Sequence, residues 1–177
     1  MLDIRDKSSD KAFSNLLLMS LGSSIENLTT FWVESCSLFV STIGLVNKSV
    51  ISLRDKILFK TISNVINSLD MAVISEERKV ILKPLIDYLK DKISANKSIR
   101  LNFICTHNSR RSHLSQIWAQ TMAAYYNINN VSCYSGGTEA TAMFPKVGET
   151  LKNQGFQIAK LSEENNPVYS VKFSKNE

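Results

Sequence analysis

Residues 101–112 read Leu101-Asn102-Phe103-Ile104-Cys105-Thr106-His107-Asn108-Ser109-Arg110-Arg111-Ser112. A short apolar run reaches a cysteine, five residues follow, and an arginine and a serine open the next segment. Leu114, Ile117, Trp118, Thr121, Met122 and Tyr125 then mark one face of a helix over about 112–126, so the stretch reads strand, loop, helix. That order places Cys105 at a strand's carboxyl end and Ser112 at a helix start. The backbone N–H groups of Thr106 to Arg111 can turn inward there as a nest for a tetrahedral oxyanion, and the helix N-terminus adds partial positive charge. The same field favours thiolate over thiol at Cys105. Arg111 brings a planar fork matched to two oxyanion oxygens. Ser112 offers its hydroxyl to the sulfur, and Asn108 braces the loop. The set suits a nucleophile beneath a bound phosphate or arsenate.

Downstream, Val131 to Ser135 reads as a second strand ending at Gly136-Gly137. Pro145 opens a helix through Val147, Leu151 and Asn153 that stops at Gly155, with proline early and glycine past the end as helix punctuation requires. Val168 to Phe173 alternates like a third strand. Strand and helix in alternation imply a parallel sheet with right-handed crossovers. Upstream, a helix starts at Ser75, carries Glu76 and Glu77 in its first turn, and continues through Leu82, Leu85, Ile86, Leu89 and Ile93 with a bend at Pro84. Asn96, Lys97 and Ser98 break it. Residues 11–70 read as helical, since Val50, Leu53, Ile57, Leu58, Ile62, Val65, Ile66 and Leu69 recur at three-and-four spacing. Nothing chemical stands out in that region: Cys36 reads as a small buried hydrophobe, and Phe31 and Trp32 as core or interface.

Composition narrows the function classes. At 177 residues and 44% hydrophobic, the chain can bury one proper core. Residues 1–104 carry 14 basic and 11 acidic side chains, and residues 105–177 carry 7 and 5. With no basic tail, electrostatics give no reason to expect a nucleic-acid partner. The three cysteines, Cys36, Cys105 and Cys133, are far apart and form no Cys-x-x-Cys pair, which argues against a disulfide framework and a metal site and for a reducing compartment. Phe31 to Val46 is short of the about 20 apolar residues a membrane span needs, and Met1 to Asp10 lacks a signal peptide's apolar core. The expected protein is cytoplasmic, without a membrane partner and without a cofactor.

Cys105 to Ser112, together with Ser135-Gly136-Gly137-Thr138-Glu139, resembles the low-molecular-weight protein tyrosine phosphatases and their arsenate reductase relatives. That family pairs a Cys-x5-Arg-Ser loop with a Ser-Ala-Gly-Thr segment on its second strand. The resemblance covers roughly residues 80–177. It implies an α/β fold, a doubly wound parallel sheet incomplete at its C-terminal end, with residues 1–74 as a helical extension and 75–177 as the phosphatase-like domain. It implies Cys105 as nucleophile, Arg111 as oxyanion clamp, and Asn108 and Ser112 as supports. Thr106, His107, Asn108, Ser109, Arg110, Arg111 and Ser112 form the expected oxyanion-binding set, with Ser135 and Thr138 holding the second loop against the first.

The chain departs from the pattern in two ways. The family's general acid is a distant downstream aspartate, and here no aspartate follows Asp91. The family's arsenate reductases use further cysteines late in the chain, and here only Cys133 follows Cys105. The expectation is a C-terminally shortened member. Three readings follow: a phosphatase acting on a phosphotyrosine protein or another aryl or acyl phosphate; an arsenate reductase drawing electrons from a small thiol or a thioredoxin-like partner; and an oxyanion-binding protein without turnover. Arg110, His107 and His113 read as loop and surface side chains, and Cys133 as strand core. Glu139, Glu149, Glu163 and Glu164 read as solvent-facing charges from which a substitute acid would have to come.

Overall fold

The computed structural model describes residues 58–69, 75–139 and 141–175. Strand β1, Ile99–Cys105, lies parallel to β2, Val131–Gly137, with Leu101 opposite Cys133 and Cys105 opposite Gly137. Between them runs helix α3, Arg111–Tyr125. Ahead of β1 come α1, Lys60–Asn67, and α2, Glu76–Ser94; after β2 come α4, Pro145–Asn153, and the strands β3, Gln157–Lys160, and β4, Tyr169–Lys172. The architecture is mixed α/β around a small parallel sheet. β1 is buried on one face, by Ile99 and Phe103, while Arg100, Asn102 and Ile104 alternate outward, so it is half-buried where the apolar run suggests a fully buried strand.

The helices end as their sequences direct. Asn96, Asn127 and Gly155 follow α2, α3 and α4 with positive φ, and the next residue in each case donates its N–H back into the last turn: Lys97 to Lys92, Ile128 to Ala123, Phe156 to Leu151. This six-to-one closure satisfies carbonyls that the helix leaves open. Ser75 caps α2 by accepting the Arg78 N–H at 3.3 Å.

Two apolar clusters hold the layers. Leu114, Trp118, Met122 and Tyr125 of α3 pack with Val147 and Leu151 of α4, Phe156, Phe173, and with Leu58, Ile62 and Ile66 around α1. Ala119 on another side of α3 meets Phe103 and Cys133 of the sheet. Helix α1 lies before the expected boundary at residue 74, yet it shares this core. The Tyr125 hydroxyl donates to Asn67 Oδ1 at 2.9 Å, and a Cβ on Gly155 would sit 2.6 Å from Thr61 Cβ. The helical expectations for residues 11–57, including Phe31, Trp32 and Cys36, lie outside the described residues.

The segment expected as a third parallel strand pairs elsewhere. β4 runs antiparallel to β3, with Ile158 opposite Val171. The connection from Leu161 to Val168 is too short for a crossover, which takes a dozen or more residues, but suits a hairpin. β3 has four residues and one half-buried side chain, too little pattern to announce itself. A bridge between Leu58 and Ser174 and a 2.9 Å bond from Phe59 N–H to the Phe173 carbonyl attach this hairpin to the start of α1. The outer edge of β2 is covered by side chains of α3: Gln116 donates to the Cys133 carbonyl, and Gln120 takes both the Val131 carbonyl and the Cys133 N–H, all at 3.0–3.1 Å.

Candidate active site

The turn from Thr106 to Arg110 leaves the end of β1 and enters α3. Its carbonyls are drawn outward by the segment that follows β2. The Thr106 carbonyl accepts the Glu139 N–H at 2.9 Å and the Thr138 hydroxyl at 3.2 Å. The His107 carbonyl accepts the Thr141 hydroxyl, and the Ser109 carbonyl accepts the Phe144 N–H at 2.9 Å. Ser109 Oγ returns the connection by donating to the Ala142 carbonyl at 2.9 Å. With these carbonyls turned out, the Asn108 and Ser109 N–H groups turn in toward the Cys105 sulfur. Asn108 takes φ 44 at the centre, a left-handed conformation that asparagine adopts more cheaply than most residues.

Around Cys105 lie hydrogen-bond donors that lower a thiol's pKa. Its Sγ lies 3.1 Å from Ser112 Oγ, which is itself 2.7 Å from Asn108 Oδ1. Burial alone pushes the thiol up. Against it act the Ser112 hydroxyl and the backbone N–H groups of Ser112, Asn108 and Ser109, and together they hold Cys105 below the ordinary thiol range. Ser112 is buried, and Arg111, half-buried, opens α3, with its carbonyl accepting Ser115 Oγ at 2.6 Å. The N-cap residue of α3, Arg110, makes no side-chain cap bond, and the Cys105 sulfur accepts the Ser112 N–H of the first turn instead.

The end of β2 and the residue after it contact the loop at Gly137 and Thr138. Gly137 stands opposite Cys105, and a Cβ there would lie 2.6 Å from the Asn108 nitrogen. Thr138 bonds the loop directly. Ser135 instead faces His113 Nδ1 at 3.4 Å, and so braces the start of α3. His113, read from sequence as a surface residue, is half-buried there. Burial holds its pKa below the usual imidazole range, against the Asn108 carbonyl, which favours the protonated ring. The ring also lines a cavity of about 380 Å³ with Gln116, Cys133, Met143 and Tyr169.

The remaining candidates separate clearly. His107 and Glu139, both exposed, pair at 2.9 Å beside the loop. Glu149 and Glu163 pair with Lys146 and Lys160, so among these three carboxylates Glu139 is the one tied to the loop. Cys133 is buried and its pKa is pushed up to about 12 by desolvation. Arg110 lies over the Phe144 ring at 4.5 Å, a partner that sequence spacing gave no means of finding. Among the described residues no cluster of three or more His, Cys, Asp or Glu side chains is placed to hold a metal, and no helix is long and apolar enough to cross a membrane. No family model, curated protein or solved structure matches this chain.

Proposed function

We propose that this chain is a cysteine-dependent phosphatase of the low-molecular-weight protein tyrosine phosphatase type, acting in the cytoplasm, with β1, α3 and β2 as the first unit of a doubly wound sheet. The observation that carries the reading is Cys105 at the mouth of α3, its sulfur 3.1 Å from Ser112 Oγ and its pKa lowered, against burial, by that hydroxyl and by the backbone N–H groups of Ser112, Asn108 and Ser109. The Cys105 sulfur attacks phosphorus, a P–S bond forms, and the bond to the leaving oxygen breaks. Water then attacks the phosphorus, and the P–S electron pair returns to the thiolate. Arg111 and the loop N–H groups hold the equatorial oxygens through both steps. Arsenate reduction by the same thiolate is the alternative, and there the electrons would come from a small thiol rather than through Cys133, which is buried with its pKa pushed up to about 12.

The protonation state of the leaving group tests the reading. A general acid contributes about 10²–10⁴-fold, mostly for poor leaving groups, and no aspartate follows Asp91. The chain should therefore hydrolyse p-nitrophenyl phosphate and barely touch an alkyl phosphate. Cys105→Ser should abolish turnover, and Arg111→Ala should abolish turnover and phosphate binding. A well-folded wild type that binds phosphate and turns over neither ester would favour the oxyanion-binding protein instead. Comparable rates on the two esters would mean that an acid is present, with Glu139 the first residue to replace.

A further inference from the structure

Arg110 sits one residue before the clamp arginine, at the rim of the loop. It is exposed, and its guanidinium lies 4.5 Å from the centroid of the Phe144 ring. Phe144 is itself fixed, because its N–H is bonded to the Ser109 carbonyl and Ser109 Oγ to the Ala142 carbonyl, both at 2.9 Å. The aromatic face thus restrains a flexible side chain by cation–π contact while leaving the guanidinium edge, with its N–H donors, in solvent. Glu139, the carboxylate tied to the loop, is taken by His107 at 2.9 Å. Among the described residues no carboxylate pairs with Arg110 within salt-bridge distance.

We propose that Arg110, held on Phe144, is a specificity-determining residue that recognises a second anionic group beside the phosphate, so that the preferred substrates are phosphorylated peptides with an acidic residue next to the phosphotyrosine. The inference rests on the phosphate-loop reading above. A guanidinium restrained before binding loses little rotamer freedom on meeting a carboxylate, and a fixed charge without a partner costs a neutral ligand nothing while favouring an acidic one. At a solvent-exposed rim the gain is modest and falls with salt.

The test is a ratio of affinities for two fluorescein-labelled phosphotyrosine peptides, one flanked by Asp and Glu and the other by Asn and Gln. Binding is read by fluorescence anisotropy on the full chain carrying Cys105→Ser, so that the peptides are not consumed. The acidic peptide should bind roughly three- to fivefold more tightly at low ionic strength. Arg110→Gln, added to Cys105→Ser, should bring the ratio to about one, and Phe144→Leu and Arg110→Lys should give intermediate values. Because each protein is its own reference, the ratio does not depend on overall phosphate affinity. Binding of both phosphopeptides with a ratio of one, or a ratio indifferent to Arg110→Gln, would overturn the inference and leave the phosphate loop standing. Binding of neither would overturn the phosphate-loop reading itself, and the inference with it.

Discussion

A Cβ placed on Gly137 would lie 2.6 Å from the backbone nitrogen of Asn108 and 2.9 Å from its Cβ. The end of β2 therefore presses directly on the centre of the Cys105 loop, and the loop's left-handed residue is held from behind by a glycine. Gly136, one position earlier, has room for a Cβ, its closest neighbour being Asn102 Oδ1 at 3.9 Å.

The two glycines should respond differently to the same change. Gly137→Ala should force Asn108 out of place, destabilise the protein by about 1–3 kcal/mol, and reduce Cys105 reactivity. Gly136→Ala should have little effect on either. Chemical denaturation and thiol alkylation check both proteins, and an unaffected Gly137→Ala loop would show that the two motifs do not touch in this way.

Ser112 has one hydroxyl proton and two neighbours, Cys105 Sγ and Asn108 Oδ1. When Cys105 ionises, donation of that one proton to the sulfur therefore competes with donation to Asn108 Oδ1. A thiol whose folded pKa is depressed ionises at lower pH, so the reactive form is present below the ordinary thiol range and is lost as pH falls through the folded value. Ser112→Ala should move the alkylation profile of Cys105 to higher pH and slow the reaction at pH 6 about tenfold, the effect of losing a charge-assisted hydrogen bond. An unchanged profile would assign the depression to the backbone N–H groups alone.

Gln120 secures the outer edge of β2 through Val131 and Cys133. Gln120→Leu keeps the bulk and removes both bonds, leaving two backbone groups without protein partners. The expected loss is about 1–3 kcal/mol, measured by denaturant unfolding, with no change in the Cys105 pH profile. A shift in that profile would mean that the edge bonds also position the loop.

How much of this was legible beforehand follows from the range of each signal. The strand, loop and helix around Cys105 announce themselves within twelve residues, because apolar period and motif spacing are local. The pairing of Gly137 with Cys105 follows once both motifs are placed on adjacent parallel strands. The stitching of Thr141, Ala142 and Phe144 onto the loop has no period at all, since it consists of backbone and hydroxyl bonds between distant residues. Gln116 and Gln120 read as an ordinary polar helix face, and only the position of β2 turns them into an edge cap. The β3–β4 hairpin was hidden for a different reason: four-residue strands give too few alternations to fix a partner. The doubly wound sheet implied by the resemblance is not shown: among the described residues there is one parallel pair, β1 and β2, and a separate antiparallel pair, β3 and β4.

The central claim, a thiolate held in an oxyanion-binding loop, is tested most directly by competitive alkylation at pH 6. The full chain is treated with iodoacetate with and without inorganic phosphate, and each cysteine is followed by peptide mapping. The account predicts that Cys105 is carboxymethylated well ahead of Cys133, whose thiol is buried and pushed up to about 12, and that phosphate protects Cys105. Equal labelling of the two cysteines, or labelling of Cys105 that phosphate does not slow, would contradict it.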